Sequence, residues 1–191
     1  RSCLVGSEMC IRDRLICEFS VSLIDKLPSI RGSYRENADL SKTNWFNVGG
    51  QAEILFRPKD LDDLSYFLKN KPRNIKITIL GVGSNLLVRD GGIDGVVIKL
   101  GRGFVDIKQE GTKIIAGAGA LSFNVAHFAA NKEIAGLEFL SGIPGTIGGA
   151  LFMNAGAYGQ EVAGVFESAT MVDNSGNIHK LLLKDIGYVY R

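Results

Sequence analysis

Two stretches of the sequence combine glycines with small polar residues in a way that suits a phosphate-bearing ligand. The first is Ile79-Leu80-Gly81-Val82-Gly83-Ser84-Asn85-Leu86-Leu87-Val88. It follows Ile75, Ile77 and Ile79 alternating with Lys76 and Thr78, which is the two-residue period of a strand. Gly81 and Gly83 can take positive φ at little steric cost. Successive N–H groups in such a turn converge on an anion, and Ser84 and Asn85 add side-chain donors. An ordinary tight turn between strands is the competing use of the same residues. A Rossmann site is excluded, because Leu86 stands where the third glycine belongs. The following strand is also only about fifteen residues away, which leaves no room for a crossover helix. The Gly-Lys-Ser/Thr of a P-loop is absent.

The second stretch is Gly142-Ile143-Pro144-Gly145-Thr146-Ile147-Gly148-Gly149-Ala150, continuing through Leu151-Phe152-Met153-Asn154-Ala155-Gly156-Ala157-Tyr158-Gly159. Pro144 fixes one φ angle, and the glycines and alanines keep the surface thin enough for a flat ligand to lie on backbone. Thr146 can cap a short helix whose N-terminus faces an anion. Close packing of a helix on a sheet is the competing use.

The elements that must position these stretches follow from periodicity. Leu23, Ile24, Leu27 and Ile30 have near-helical spacing that Pro28 cuts short. Residues 52–56 read as a strand. Asp60 is an N-cap, with Asp62 and Asp63 in the first turn favouring the helix dipole. Leu61, Leu64 and Leu68 give that helix one apolar face, and it is expected to end near Asn70. Further strands are expected over 75–79 and 96–100, and a hairpin over 104–109 and 113–116. A helix carries Ser122 near its start and Leu121, Val125, Phe128 and Ala129 on one face. A last hairpin spans 166–172 and 178–183 across Asn174-Ser175-Gly176. The fold class is α+β in two lobes, 15–102 and 103–191, meeting near Gly101–Gly103.

Composition narrows the function. The 191 residues are 46% hydrophobic and 22% charged, which is globular. The net charge of +2 carries no basic run, so no nucleic-acid or membrane surface is expected. No uninterrupted apolar segment of about 20 residues occurs to span a bilayer. The 24 glycines are well above the usual share of about 7%. The three cysteines, Cys3, Cys10 and Cys17, leave the main body without a disulfide framework, and no metal site is expected. Residues 1–14, RSCLVGSEMCIRDR, lack periodicity and resemble a junction sequence, so they are expected to be a leader foreign to the fold.

A third stretch, Thr43-Asn44-Trp45-Phe46-Asn47-Val48-Gly49-Gly50, completes a pattern. In order and spacing the three stretches resemble the UDP-N-acetylenolpyruvoylglucosamine reductases, and residues 142–159 are the most specific part of the likeness. The resemblance covers roughly residues 23–191. It implies a two-lobed FAD-binding domain of the vanillyl-alcohol-oxidase (PCMH) type. Gly81, Gly83, Ser84, Asn85 and Leu86 would hold the FAD diphosphate. Ile143, Pro144, Gly145, Thr146, Gly148, Gly149 and Ala150 would line the cofactor's other side, with Asn154, Ala155 and Gly156 nearby and Gly119 touching it. Thr43, Trp45, Gly49 and Gly50 would shape the first lobe's side. The first loop has no His, Cys or Tyr, so non-covalent FAD is expected. Tyr158 is the nearest such residue in the second loop and reads as a packing residue.

The reaction so implied runs from NADPH through FAD to the enolpyruvyl double bond of UDP-N-acetylglucosamine enolpyruvate. It gives UDP-N-acetylmuramate for peptidoglycan. Negative charge develops beside a carboxylate in that step, and a cation there lowers the barrier. Arg191, in Gly187-Tyr188-Val189-Tyr190-Arg191, matches the family's active-site arginine. The family's catalytic serine and glutamate lie further along the chain than Arg191, in a substrate domain expected to be absent here. The expectation is therefore an enzyme fragment, inactive alone, monomeric and cytoplasmic. The alternatives are another FAD oxidoreductase of the same fold, such as a sugar-acid or lactone oxidase, and a non-catalytic FAD-binding module.

Overall fold

The computed structural model describes residues 22–188. The 1–14 leader, the three cysteines and Arg191 lie outside the described residues. The apolar residues 54–56 and 96–98 lie in the two inner strands of a four-stranded sheet ordered β1-β2-β4-β3. Its strands are β1 (Ser33–Asp39), β2 (Gln51–Arg57), β3 (Ile77–Leu80) and β4 (Ile93–Lys99). β1 runs antiparallel to β2, whereas β2 and β3 both run parallel to β4. Strands covered on both faces need near-continuous apolar runs, which β2 and β4 supply. A register shift between Ala52 and Ile54 lets both Ala52 and Leu55 face the side opposite Ile54 and Phe56.

The helix α1 (Leu61–Asn70) covers one face with Phe67 and Leu68, against Ile54, Phe56, Val96 and Ile98. Asp60 caps it as expected, its carboxylate accepting from Asp63 N at 2.9 Å. Asp63 does more than favour the helix dipole. It is 2% exposed and accepts from the backbone N–H of Arg31, Gly32 and Lys59 at 2.8, 2.9 and 2.9 Å. Burial alone would raise its carboxyl pKa, but these donors outweigh that effect and hold it below the ordinary value. The apolar residues ahead of Pro28 form only a 3-10 turn, Leu23–Lys26, before Leu27 becomes extended.

The opposite face is covered by Leu40, Val88 and Leu86, so the first glycine loop folds back beneath its own sheet. β3 and β4 are parallel neighbours joined by residues 81–92 without a helix. β4 begins at Ile93, earlier than the expected 96, because Ile93 already pairs with Ala52 of β2; Gly95 then bends the strand at φ +81, where a side chain would strike Lys76 O.

The remaining elements build a second core around Phe139, Leu140, Val125 and Ala150. They are the hairpin β5 (Ile107–Glu110) and β6 (Lys113–Ala116), α2 (Ser122–Asn131) and α3 (Ile147–Phe152). The small hairpin β7 (Gly156–Ala157) and β8 (Gln160–Glu161) follows, then β9 (Ser168–Val172) and β10 (Ile178–Leu182), and α4 (Leu183–Ile186). The β9–β10 turn reaches back to α1, where Ser65 Oγ donates to Gly176 O at 2.6 Å and is buried. Val172 packs on the α1 face of the sheet.

Candidate functional site

All three quoted stretches meet. Trp45 N donates to Gly83 O at 3.2 Å, and Gly50 N donates to Arg89 O at 3.0 Å. A Cβ on Gly49 would lie 2.6 Å from Val88 Cβ, so the Gly49-Gly50 pair closes directly on the end of the first loop. Ser84 Oγ donates to Pro144 O at 2.9 Å, across 60 residues of sequence. A Cβ on Gly81 would sit 2.9 Å from Thr146 Oγ1, and one on Gly145 3.2 Å from Ser84 Oγ. Side chains at Gly81 and Gly145 would wedge the two loops apart.

The two glycines of the first loop have different reasons. Gly83 takes φ +68 and rests on Asn44, whose Cα and Cβ would be 2.7 Å from an added Cβ. Gly81 does not need positive φ; it needs space against Thr146. Among the described residues, the N–H groups of Val82, Gly83, Ser84, Asn85 and Leu86 donate no hydrogen bond within the protein. A run of such donors is what an anion requires. Leu86 directs its side chain into the core beneath the sheet, so its place in the site rests on its backbone.

Below the loop, Asn44 is 6% exposed and Nδ2 donates to Leu40 O and Val48 O at 2.8 Å each. Its Oδ1 is buried with no partner among the described residues, which a polar ligand or water would satisfy. Thr43 Oγ1 donates to Leu40 O at 3.0 Å, and Trp45 is 59% exposed. The sequence offered no signal for Asn44 beyond its place between Thr43 and Trp45.

The second loop is strapped by residues 117–122. Ile147 N donates to Ala120 O and Gly148 N to Ala118 O, both at 2.8 Å, and Ser122 N donates to Gly145 O at 3.0 Å. Gly119 belongs to this strap, its N–H donating to Phe104 O at 2.8 Å. Thr146 caps α3, with Oγ1 accepting from Gly149 N at 3.4 Å. The expectation that this helix N-terminus faces an anion does not hold. α3 has six residues, and the N–H groups of Ile147, Gly148 and Gly149 are already engaged. The bare surface survives all the same, since a Cβ on Gly149 would meet only Thr146 Oγ1, at 3.5 Å.

Asn154, Ala155 and Gly156 are engaged behind α3 rather than with the first loop. Asn154, at φ +43, accepts from Ala163 N at 2.9 Å. Ala155 N donates to Ala150 O at 2.9 Å, and a Cβ on Gly156 would meet Gln160 O at 2.7 Å. Tyr158 is 84% exposed and so does not pack into the core; its ring edge leans on Gly142.

These features fit an extended dinucleotide. The first loop offers unengaged donors over an orphaned acceptor, and the absence of a Cβ at Gly81 and Gly145 lets the two loops close on each other into one surface. Residues 52–182 match the family described as FAD binding domain. The chain is 51% identical over 177 residues to UDP-N-acetylenolpyruvoylglucosamine reductase of Parvibaculum lavamentivorans, covering 93% of this chain and 57% of that protein. It is 54% identical over 175 residues to the Orientia tsutsugamushi (strain Ikeda) protein of the same name, covering 90% and 58%. Among solved structures, the reductase of that name from Thermus caldophilus matches with TM-score 0.69 and 32% identity, over 85% of this chain and 56% of that one. A 6-hydroxy-D-nicotine oxidase from Arthrobacter nicotinovorans shares the fold at TM-score 0.62 and 17% identity, over 87% and 38%. The chain thus spans a little over half the length of the reductases it matches. Two convergent glycine loops on an α+β frame, and a family match over residues 52–182, establish that this chain belongs to the FAD-binding domain family.

Proposed function

We propose that this chain is the FAD-binding part of a UDP-N-acetylenolpyruvoylglucosamine reductase, holding FAD non-covalently between two lobes that meet near Gly101–Gly103. The observation that carries this reading is the Ser84-to-Pro144 contact, which joins two bare-backbone loops into one surface. Identity of 51% over 93% of the chain supports the choice of reductase over other enzymes of the fold. Bound FAD supplies the redox chemistry, relaying reducing equivalents from NADPH to the enolpyruvyl double bond of UDP-N-acetylglucosamine enolpyruvate. The first loop binds the diphosphate through the N–H groups of residues 82–86, Ser84 among them, and the side chain of Asn85, while Ser84 Oγ gives its one proton to Pro144 O and ties the loops together. Residues 143–150 orient the ring. Thr43, Trp45, Gly49, Gly50 and Gly119 hold the walls, and Asn154, Ala155 and Gly156 support α3 from behind. Arg191 is assigned to stabilise charge developing beside the substrate carboxylate. A monomeric, cytoplasmic protein is part of the same proposal. Among the described residues, no helix is long and apolar enough to cross a membrane.

The test is direct. Purified chain is expected to carry flavin absorbance, or to regain it on incubation with FAD, and to release the flavin on denaturation. A protein that stays colourless and cannot be reconstituted contradicts the reading. Joined to the remaining part of a reductase, the chain is expected to oxidise NADPH only with the enolpyruvyl substrate present. Turnover with oxygen and no such substrate would instead favour an oxidase.

A further inference from the structure

Lys99 ends β4 and pairs in the ladder with Leu80, the residue immediately before the first glycine loop. Its Nζ donates to Thr43 O at 3.4 Å. That same carbonyl would be 3.0 Å from a Cβ on Gly83, so the ammonium lies directly under the loop. Among the described residues Lys99 forms no ion pair, in contrast to Arg31, Lys42 and Lys113, which each meet a carboxylate. Burial, and then repulsion from the Arg57 guanidinium, hold its pKa below the ordinary lysine value. A half-buried cation with another cation nearby and no anion is destabilising by itself. It is bonded to the residue that precedes Asn44, whose Oδ1 is orphaned, below a loop in which the five successive N–H groups of residues 82–86 have no partner among the described residues.

We infer that Lys99 is the cationic contact of the cofactor's diphosphate, its missing counter-charge being supplied by the bound dinucleotide. This rests on the FAD reading above and adds a residue to it. Lys99 then discriminates between flavins by their phosphates, while the second loop treats the ring alike in all of them. An ammonium reaching a diphosphate through a partly buried position is worth about a tenfold change in affinity and is sensitive to salt.

The experiment compares the 191-residue chain with Lys99→Met and Lys99→Arg. FAD titrations are run at two salt concentrations, and denaturant midpoints are measured without FAD. Lys99→Met is expected to weaken FAD binding about tenfold at low salt and to make its salt dependence shallower. The FAD-free midpoint is expected to stay level or rise, because an unpaired cation has been removed. Lys99→Arg is expected to recover most of the affinity. Affinity within twofold of the parent chain, or an unchanged salt dependence, overturns the inference. A fall in the FAD-free midpoint also overturns it by marking a merely structural lysine. If the parent chain itself binds no FAD, the flavoprotein reading fails first, and that result is distinct from any difference among the variants.

Discussion

The two glycine loops share a composition and differ in what they leave open. In the first, the N–H groups of residues 82–86 are unengaged among the described residues, while the glycines are locked by φ and by Asn44 and Thr146 beneath them. In the second, Ile143, Ile147, Gly148, Gly149 and Ala150 all donate within the protein, to Leu140, Ala120, Ala118 and Thr146. Yet a Cβ at Gly149 would touch only Thr146 Oγ1, at ordinary contact distance. Among the described residues, the first presents a run of free donors and is sterically fixed; the second engages most of its N–H groups, Gly145 and Thr146 excepted, and is bare. Glycine therefore serves backbone conformation and donor presentation in one loop, and thinness in the other. An anion suits the first arrangement and a flat ring the second.

The contrast can be broken hardest at Gly83. Gly83→Ala must hold φ +68 with its Cβ 2.7 Å from Asn44. A loss of about 4 kcal/mol is expected from strain and overpacking together. FAD retention should be abolished; denaturant midpoints and FAD titration read both, and an unaffected affinity would separate the loop from the cofactor.

A remote anchor serves as the control. Asp63→Asn is expected to cost about 3 kcal/mol by weakening the bonds to Arg31, Gly32 and Lys59 without changing FAD affinity per folded molecule. The sign of the pH dependence follows from the lowered pKa. The carboxylate's contribution is present above its unfolded value of about 3.9 and is lost as pH falls through the folded value. The parent chain should therefore lose stability below about pH 4, and Asp63→Asn should flatten that loss. An acid limb equally steep in the variant would assign it to other carboxylates.

The smallest structural effect is expected at Gly149. Gly149→Ala has room and sits inside α3, so a gain of about 0.5 kcal/mol is expected. FAD affinity should nevertheless fall about tenfold if the ring lies on that backbone. A variant that binds FAD like the parent chain would remove Gly149 from the cofactor surface and sharpen the assignment to its neighbours.

The inner strands, α1, α2 and both long hairpins were legible because apolar period and turn residues report burial directly. β1 was not. Its residues, Ser-Tyr-Arg-Glu-Asn-Ala-Asp, bury only Ala38 fully, because it is an edge strand whose partner β2 already fills the core. The glycine stretches were legible as sites, since so many glycines have no other local use. Their mutual contact was not, because Ser84 and Pro144 are 60 residues apart and no local rule links them. Nothing local marks Lys99 in the sequence; only folding shows that it forms no ion pair among the described residues. Asp63 was read as a first-turn carboxylate, and its inward hydrogen bonds to Arg31 and Gly32 depend on a chain crossing that periodicity does not encode.

The clasp between Ser65 and the β9–β10 turn has a consequence for biosynthesis. The two partners are 111 residues apart. At about 5–20 residues per second, the ribosome needs roughly 5–20 s to deliver Gly176 after Ser65. Through that interval the α1 face of the nascent sheet lacks Val172, leaving a greasy notch that chaperones or neighbouring chains can reach.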